Sequence, residues 1–86
     1  MDTYRMWIDG RWADADSGMT FHTHNPATGD VVAEAPLGGA SDVDKAVAAA
    51  RAALPGWSMM SQSDRSAVVA RIAAAVREHA EELARL

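Results

Sequence analysis

Large apolar side chains are scarce in this chain, and that scarcity limits what it can fold into. Val, Leu, Ile and Phe together number 14 of 86 residues, whereas Ala alone numbers 19. The large apolar share is therefore below the roughly 20% floor of ordinary globular domains. A chain this short also buries only about 60–65% of its unfolded surface, so its own core is thin. We expect helix-rich material whose alanine faces pack on something larger.

Charge and cysteine content exclude several classes of function. The chain has no Cys, which rules out disulfides, cysteine-ligated zinc and a thiolate nucleophile. A net charge of −4 argues against a nucleic-acid partner, which needs a basic face. The sequence shows neither the apolar core of a signal peptide nor an apolar run of about 20 residues. We therefore expect a cytoplasmic protein with no membrane partner.

Residues 1–40 predict short strands joined by tight turns. Asp9-Gly10 lies between two apolar runs and is a strong hairpin signal, because a type I′ turn needs positive φ at both central positions. Residues 14–18 form a second turn signal, and residues 25–30 form a third, in which Pro26 fixes φ. Strands are expected at 20–24 and 31–35, the latter ended by Pro36. The expected arrangement is an antiparallel β-meander.

Residues 41–86 predict two α-helices. Ser41 and the acids after it resemble a capping box, apolar residues then recur at helical spacing, and Pro55-Gly56 is expected to end the first helix. Ser61 to Asp64 repeats the capping pattern for the second helix, which is still running at Leu86. The expected fold class is thus an α+β fragment over residues 1–86, the front piece of something longer.

Candidate chemical groups are few. His22 and His24 share one face of a strand, but two ligands are too few for a zinc site, and solvent-facing positions explain them better. Gly38-Gly39 precedes a helix without any phosphate-binding glycine fingerprint around it. The carboxylates form helix caps or a helix surface and provide no acid–base pair. From the residues alone, the chain is a small α+β module with exposed apolar faces and no nameable activity.

A series of motifs nevertheless runs through the chain in a distinctive order. The motifs are Trp7-Ile8-Asp9-Gly10-Arg11-Trp12, Phe21, Asn25-Pro26-Ala27-Thr28-Gly29-Asp30-Val31, Asp42-Val43-Asp44-Lys45-Ala46-Val47, Trp57, Asp64-Arg65 and Glu81-Glu82-Leu83-Ala84. Their order and spacing closely resemble the N-terminal segment of the NAD(P)-dependent aldehyde dehydrogenase superfamily. The resemblance implies that residues 1–86 are the opening part of a Rossmann-like cofactor-binding domain in an oxidoreductase.

The resemblance also implies what the chain lacks. The family oxidises an aldehyde to a carboxylic acid with NAD or NADP through a cysteine thiohemiacetal, and its catalytic and nucleotide-binding residues lie beyond the position of Leu86. We therefore expect no catalytic residue and no cofactor-binding residue here, and no activity from the chain alone. Its partner would be the rest of an aldehyde dehydrogenase chain, and the full-length family usually forms homo-oligomers.

Two further expectations remain. By the same resemblance, Thr23 and His24 match positions that contribute oxygens to a structural monovalent-cation site, whose third ligand would lie past Leu86. The alternative, that they are only strand residues, stays open. An alternative function is also open: a stand-alone, non-catalytic module that docks on another protein surface.

Overall fold

A computed structural model describes all 86 residues, which divide into two compact units, Met1–Ala53 and Leu54–Leu86. The first unit holds the strands and most of helix α1, and the second holds the end of α1 and two further helices. The elements are β1 (Asp2–Thr3), β2 (Met6–Ile8), β3 (Arg11–Ala13), β4 (Thr20–His24), β5 (Val31–Pro36), α1 (Ala40–Ser58), α2 (Gln62–Glu78) and α3 (Ala80–Arg85). Strands followed by helices confirm the predicted α+β class. No helix combines the length and apolarity needed to cross a membrane.

Strands β2 and β3 form the predicted hairpin. Asp9 and Gly10 have φ of 54° and 72°, as a type I′ turn requires. Trp7 pairs directly with Trp12, and their rings meet edge to face with centroids 4.8 Å apart. This two-residue turn fixes the register, so the sequence signal and the structure agree.

The remaining strands form a separate sheet in the order β1–β5–β4. Strand β4 pairs antiparallel with β5, with a bulge that leaves Val32 unpaired, whereas β1 pairs parallel with β5 through Asp2 and Thr3. The prediction of one antiparallel meander was therefore wrong. The turn between β3 and β4 closes on itself, with Gly18 N–H donating to Ala15 O at 2.8 Å, and so separates the hairpin from β4.

Helix α1 differs from its prediction at both ends. It begins at Ala40 instead of Ser41, because Asp42 accepts a hydrogen bond from the Gly39 N–H at 2.9 Å, the reciprocal half of a capping box. It continues through Pro55 to Ser58, so Pro55-Gly56 does not end it. Proline removes only one donor of the ladder, and the helix resumes with Met59 N–H donating to Pro55 O at 3.2 Å.

The predicted second helix is interrupted once. Ser61 caps α2 as expected, since its hydroxyl accepts from the Asp64 N–H at 3.1 Å. His79, with φ of −102° and ψ of 18°, then separates α2 from the short helix α3. The chain therefore has three helices where two were predicted.

The apolar core is as thin as the composition predicts. Ala15 is the only buried hydrophobic residue and Asp42 the only buried charged one, each about 5% exposed. Most of the large apolar side chains are solvent-exposed, among them Trp7, Trp12, Phe21, Val43, Val47, Leu54, Val69, Ile72, Val76 and Leu83. Most of the hydrophobic surface of each unit thus has no partner within the chain.

Candidate functional site

The first unit contains an open cleft between the β2–β3 hairpin and the N-terminal part of α1. Its volume is about 630 Å³. It is lined by alanines of α1, by apolar residues of the hairpin, and by charged residues of the hairpin, the β3–β4 turn and α1. The apolar lining residues are Met6, Ile8, Ala13, Ala48, Ala49 and Ala52.

Asp42 holds one end of this cleft together. Its two carboxylate oxygens accept from the Asp16 N–H at 3.0 Å and from the Gly39 N–H at 2.9 Å. One side chain thus fixes the β3–β4 turn, 26 residues away in sequence, and closes the start of α1. The sequence indicated only the capping role. Nothing in the local pattern marked Asp16 as the second partner, because that contact depends on the tertiary fold.

Some of the charged residues at the cleft are paired, among them Asp14, Asp16 and Lys45. Lys45 donates to the Asp16 carboxylate, and this bond, with a smaller contribution from Ser41, holds the Asp16 pKa below its usual value. The same contact raises the pKa of Lys45. Arg5 forms two parallel bonds to Asp14 at 3.0 and 3.1 Å, which raise the Arg5 pKa. Asp14 and Asp16 are thus each paired with a cation of the chain.

Thr23 and His24 lie at the end of β4, beside the bulge in β5, and both are exposed. Leu37 N–H donates to Met19 O at 2.8 Å, and Asn25 N–H donates to Asp30 O at 2.7 Å. Bonded and non-bonded residues alternate along an antiparallel strand, so His24, next to the bonded Asn25, is a non-bonded residue. The His24 carbonyl therefore points away from β5. The Thr23 hydroxyl and the His24 carbonyl are the kind of oxygen ligand that binds a hard cation, but two residues fill only part of a coordination shell. A cation at Thr23 and His24 stays a prediction.

The structure contains no group of three or more His, Cys, Asp or Glu side chains placed to hold a metal ion. His22 lies on β4 opposite Glu34, and His79 bonds to Glu82 at the break between α2 and α3. The three histidines therefore do not share a site.

The N-termini of α1 and α2 are capped by the chain's own side chains. The Gly39 N–H at the start of α1 is bonded to the Asp42 carboxylate, and the Asp64 N–H at the start of α2 is bonded to Ser61. A phosphate at α1 would have to displace a carboxylate, which it would also repel. The start of α1 therefore does not fit a phosphate.

The chain is similar to known proteins over nearly its whole length. The chain is 44% identical over 81 residues to hydroxyisobutyraldehyde dehydrogenase of Mycolicibacterium austroafricanum, covering 94% of this chain and 16% of the relative. It is 44% identical over 80 residues to 3-sulfolactaldehyde dehydrogenase of Pseudomonas putida, covering 93% and 16%. The chain thus spans about one sixth of the length of the curated relatives it matches.

The fold of the chain is also similar to parts of solved structures. The crystal structure of PnpE in complex with nicotinamide adenine dinucleotide superimposes with a TM-score of 0.90 at 36% identity, covering 95% of this chain and 17% of that protein. The aldehyde dehydrogenase family model matches residues 12–86. On the sequence match and the shared fold together, this chain belongs to the aldehyde dehydrogenase family.

Proposed function

We propose that the chain is a docking segment of an NAD(P)-dependent aldehyde dehydrogenase, and that it supplies packing surfaces without supplying catalytic groups. The observation that carries the proposal is the exposure of its large apolar residues, with Ala15 as the only buried hydrophobic residue. A TM-score of 0.90 to a protein about six times as long supports the same reading, since such a protein has further chain to cover these faces.

The assembled protein would oxidise an aldehyde to a carboxylic acid. NAD or NADP would accept the hydride, and a cysteine outside residues 1–86 would form the covalent intermediate. This chain's part is to hold one end of the cleft together through Asp42 and to present two apolar stripes. The exposed stripe residues are Val43, Val47 and Leu54 on α1 and Val69, Ile72 and Val76 on α2. We propose that the 86-residue chain alone has no activity, and that the assembled enzyme is a cytoplasmic homo-oligomer.

Fragment complementation tests the proposal. The remainder of the M. austroafricanum relative, lacking its matching segment, is mixed with the 86-residue chain, and aldehyde-dependent NADH formation is followed. We expect no turnover from either piece and measurable turnover from the mixture. Turnover by the 86-residue chain above a buffer blank would contradict the absence of catalytic groups.

A matched pair of variants on α2 sharpens the test. Ile72 is 59% exposed and belongs to the apolar stripe, whereas its neighbour Arg71 lies on the opposite side of the helix. Ile72→Asp should leave the circular dichroism of the chain unchanged and abolish complementation, because a charge would be buried at the contact. Arg71→Asp should preserve complementation. If both pieces fold but never associate, the docking role is wrong and the stand-alone interaction module is favoured.

A further inference from the structure

Strand β4 forms an open edge of the three-stranded sheet. In the order β1–β5–β4, strand β5 is central, β1 covers only two of its residues, and β4 lies at the other side with no neighbour beyond it. All five residues of β4 are exposed. The long unpaired edge of the sheet is therefore Thr20–His24.

The register identifies which backbone groups of β4 are free. Leu37 N–H donates to Met19 O at 2.8 Å, which makes Met19 and Leu37 a hydrogen-bonded pair. Bonded and non-bonded pairs alternate in antiparallel strands, so Phe21 and Thr23 bond to β5. The N–H and C=O groups of the alternate residues, Thr20, His22 and His24, therefore point away from β5.

The opposite side of β5 supports this alternation. Glu34 faces His22 in the register, and its carbonyl accepts from the Tyr4 N–H at 2.9 Å, on the β1 side. Pro36, which has no N–H to donate, faces Thr20 at another non-bonded position. Both observations fit an outward direction for the backbone groups of Thr20 and His22.

This edge lacks the devices that usually protect one. Exposed edge strands are commonly blocked by lysine, proline, a bulge or extreme shortness. β1 is two residues long, but β4 has five residues with neither Lys nor Pro, and the extra residue of the bulge lies in β5. An unprotected edge with three outward residues matches an added strand.

We propose that the free edge of β4 pairs with an extended segment of the remaining aldehyde dehydrogenase polypeptide, through the backbone of Thr20, His22 and His24. This inference rests on the proposed docking role. A second copy of the chain is a weaker fit, because two five-residue edges alone fall short of the roughly 1,200 Å² that specific interfaces bury. The remaining polypeptide can cover the exposed apolar stripes at the same time.

Amide hydrogen exchange by NMR tests the pairing residue by residue. In the 86-residue chain alone, we expect fast exchange at Thr20, His22 and His24 and slower exchange at Phe21 and Thr23. With the complementing piece at about 100 times its Kd, the three outward amides should slow by up to about 100-fold. Fast exchange at all three in an active complex would overturn the edge pairing and leave the docking role intact. Absence of any complex would overturn both. If the three amides of the chain alone exchange more slowly as its concentration rises, a second copy of the chain is the partner, and the proposal is overturned.

Two variants at one position provide a second measurement. His22→Pro removes the imidazole, fixes φ and removes an outward N–H, and proline is tolerated at such edge positions. His22→Val removes the same side chain and keeps the N–H. We expect affinity for the complementing piece to fall about tenfold in His22→Pro relative to His22→Val, as the loss of one strand hydrogen bond implies. Equal affinities would overturn the proposal, and the exchange experiment decides the matter if His22→Pro does not fold.

Discussion

Replacing Asp42 with alanine should destabilise the first unit more than any other single loss of charge. Asp42 is about 5% exposed and accepts from two backbone amides, at 3.0 and 2.9 Å. Asp42→Ala would leave the N–H groups of Asp16 and Gly39 without their partner in a part-buried position. Asp44, two residues later on the same helix, is exposed and its side chain makes no hydrogen bond, so Asp44→Ala is the matched control.

The size of the effect follows from these two bonds. Hydrogen bonds to a charged group each contribute about 1.5–3 kcal/mol, so the loss is at least about 3 kcal/mol. At roughly 0.05 kcal/mol per residue, a chain of 86 residues with so little core has a free energy of unfolding near 4 kcal/mol. Asp42→Ala should therefore remove most of the stability. Asp42→Asn, which keeps one neutral acceptor oxygen, should lose about half as much.

Urea titration of the 86-residue chain measures this loss. The edge-to-face pair of Trp7 and Trp12 lies within the first unit, and its exciton signal in circular dichroism reports on that unit without contribution from Trp57. With an m-value of about 1 kcal/mol/M, the midpoint should move by about 3 M, and a stabilising osmolyte can restore a folded baseline. Ordinary surface substitutions change the free energy of unfolding by up to about 0.5 kcal/mol. If Asp42→Ala and Asp44→Ala differ in free energy of unfolding by less than about that amount, the reasoning is refuted.

Three further predictions use the same chain. Lys45 lowers the pKa of Asp16, so their pairing stabilises the fold above the unfolded pKa of Asp, about 3.9. This stabilisation is lost as the pH falls through the lower pKa of the folded state. In Lys45→Met, the free energy of unfolding should therefore fall less steeply with decreasing pH below about 4. Ser61→Ala should cost α2 about 1 kcal/mol in thermal unfolding, whereas Ser66→Ala, at an exposed helical position, should cost nothing. Gly10→Ala should destabilise the hairpin by about 1 kcal/mol through the φ of 72° alone, because nothing lies within 4 Å of the added Cβ. Gly56→Ala, inside α1, should instead stabilise the helix by up to about 1 kcal/mol, because alanine has the higher helix propensity.

The parts of the fold that sequence predicts are those decided by local contacts. The Asp9-Gly10 turn is determined by its own backbone angles, so the β2–β3 hairpin was predicted correctly. The Ser61 cap depends on a hydrogen bond between residues only three positions apart, and it was also predicted correctly. Local rules were misleading at Pro55, where the helix continues because neighbouring residues outweigh one missing donor.

The parts that sequence does not predict are contacts between distant segments. β1 is two residues long and joins β5 in parallel across about thirty positions, which no period-2 pattern can announce. The bond from Asp16 to Asp42 is equally non-local. The motifs indicated the family, whereas the free edge of β4 followed only from the strand order and the direction of each hydrogen bond.

The two kinds of apolar residue in the helices have different physical roles. Alanine has the highest helix propensity, so it favours α1 and α2 without requiring burial, although isolated helices of this length remain marginal. The exposed Val69, Ile72 and Val76 add nothing to that local preference, because β-branched residues are poorer helix formers. Their value depends on a partner that removes them from water. A helix that is already formed loses less conformational entropy on docking, so alanine also strengthens the association that the larger residues drive.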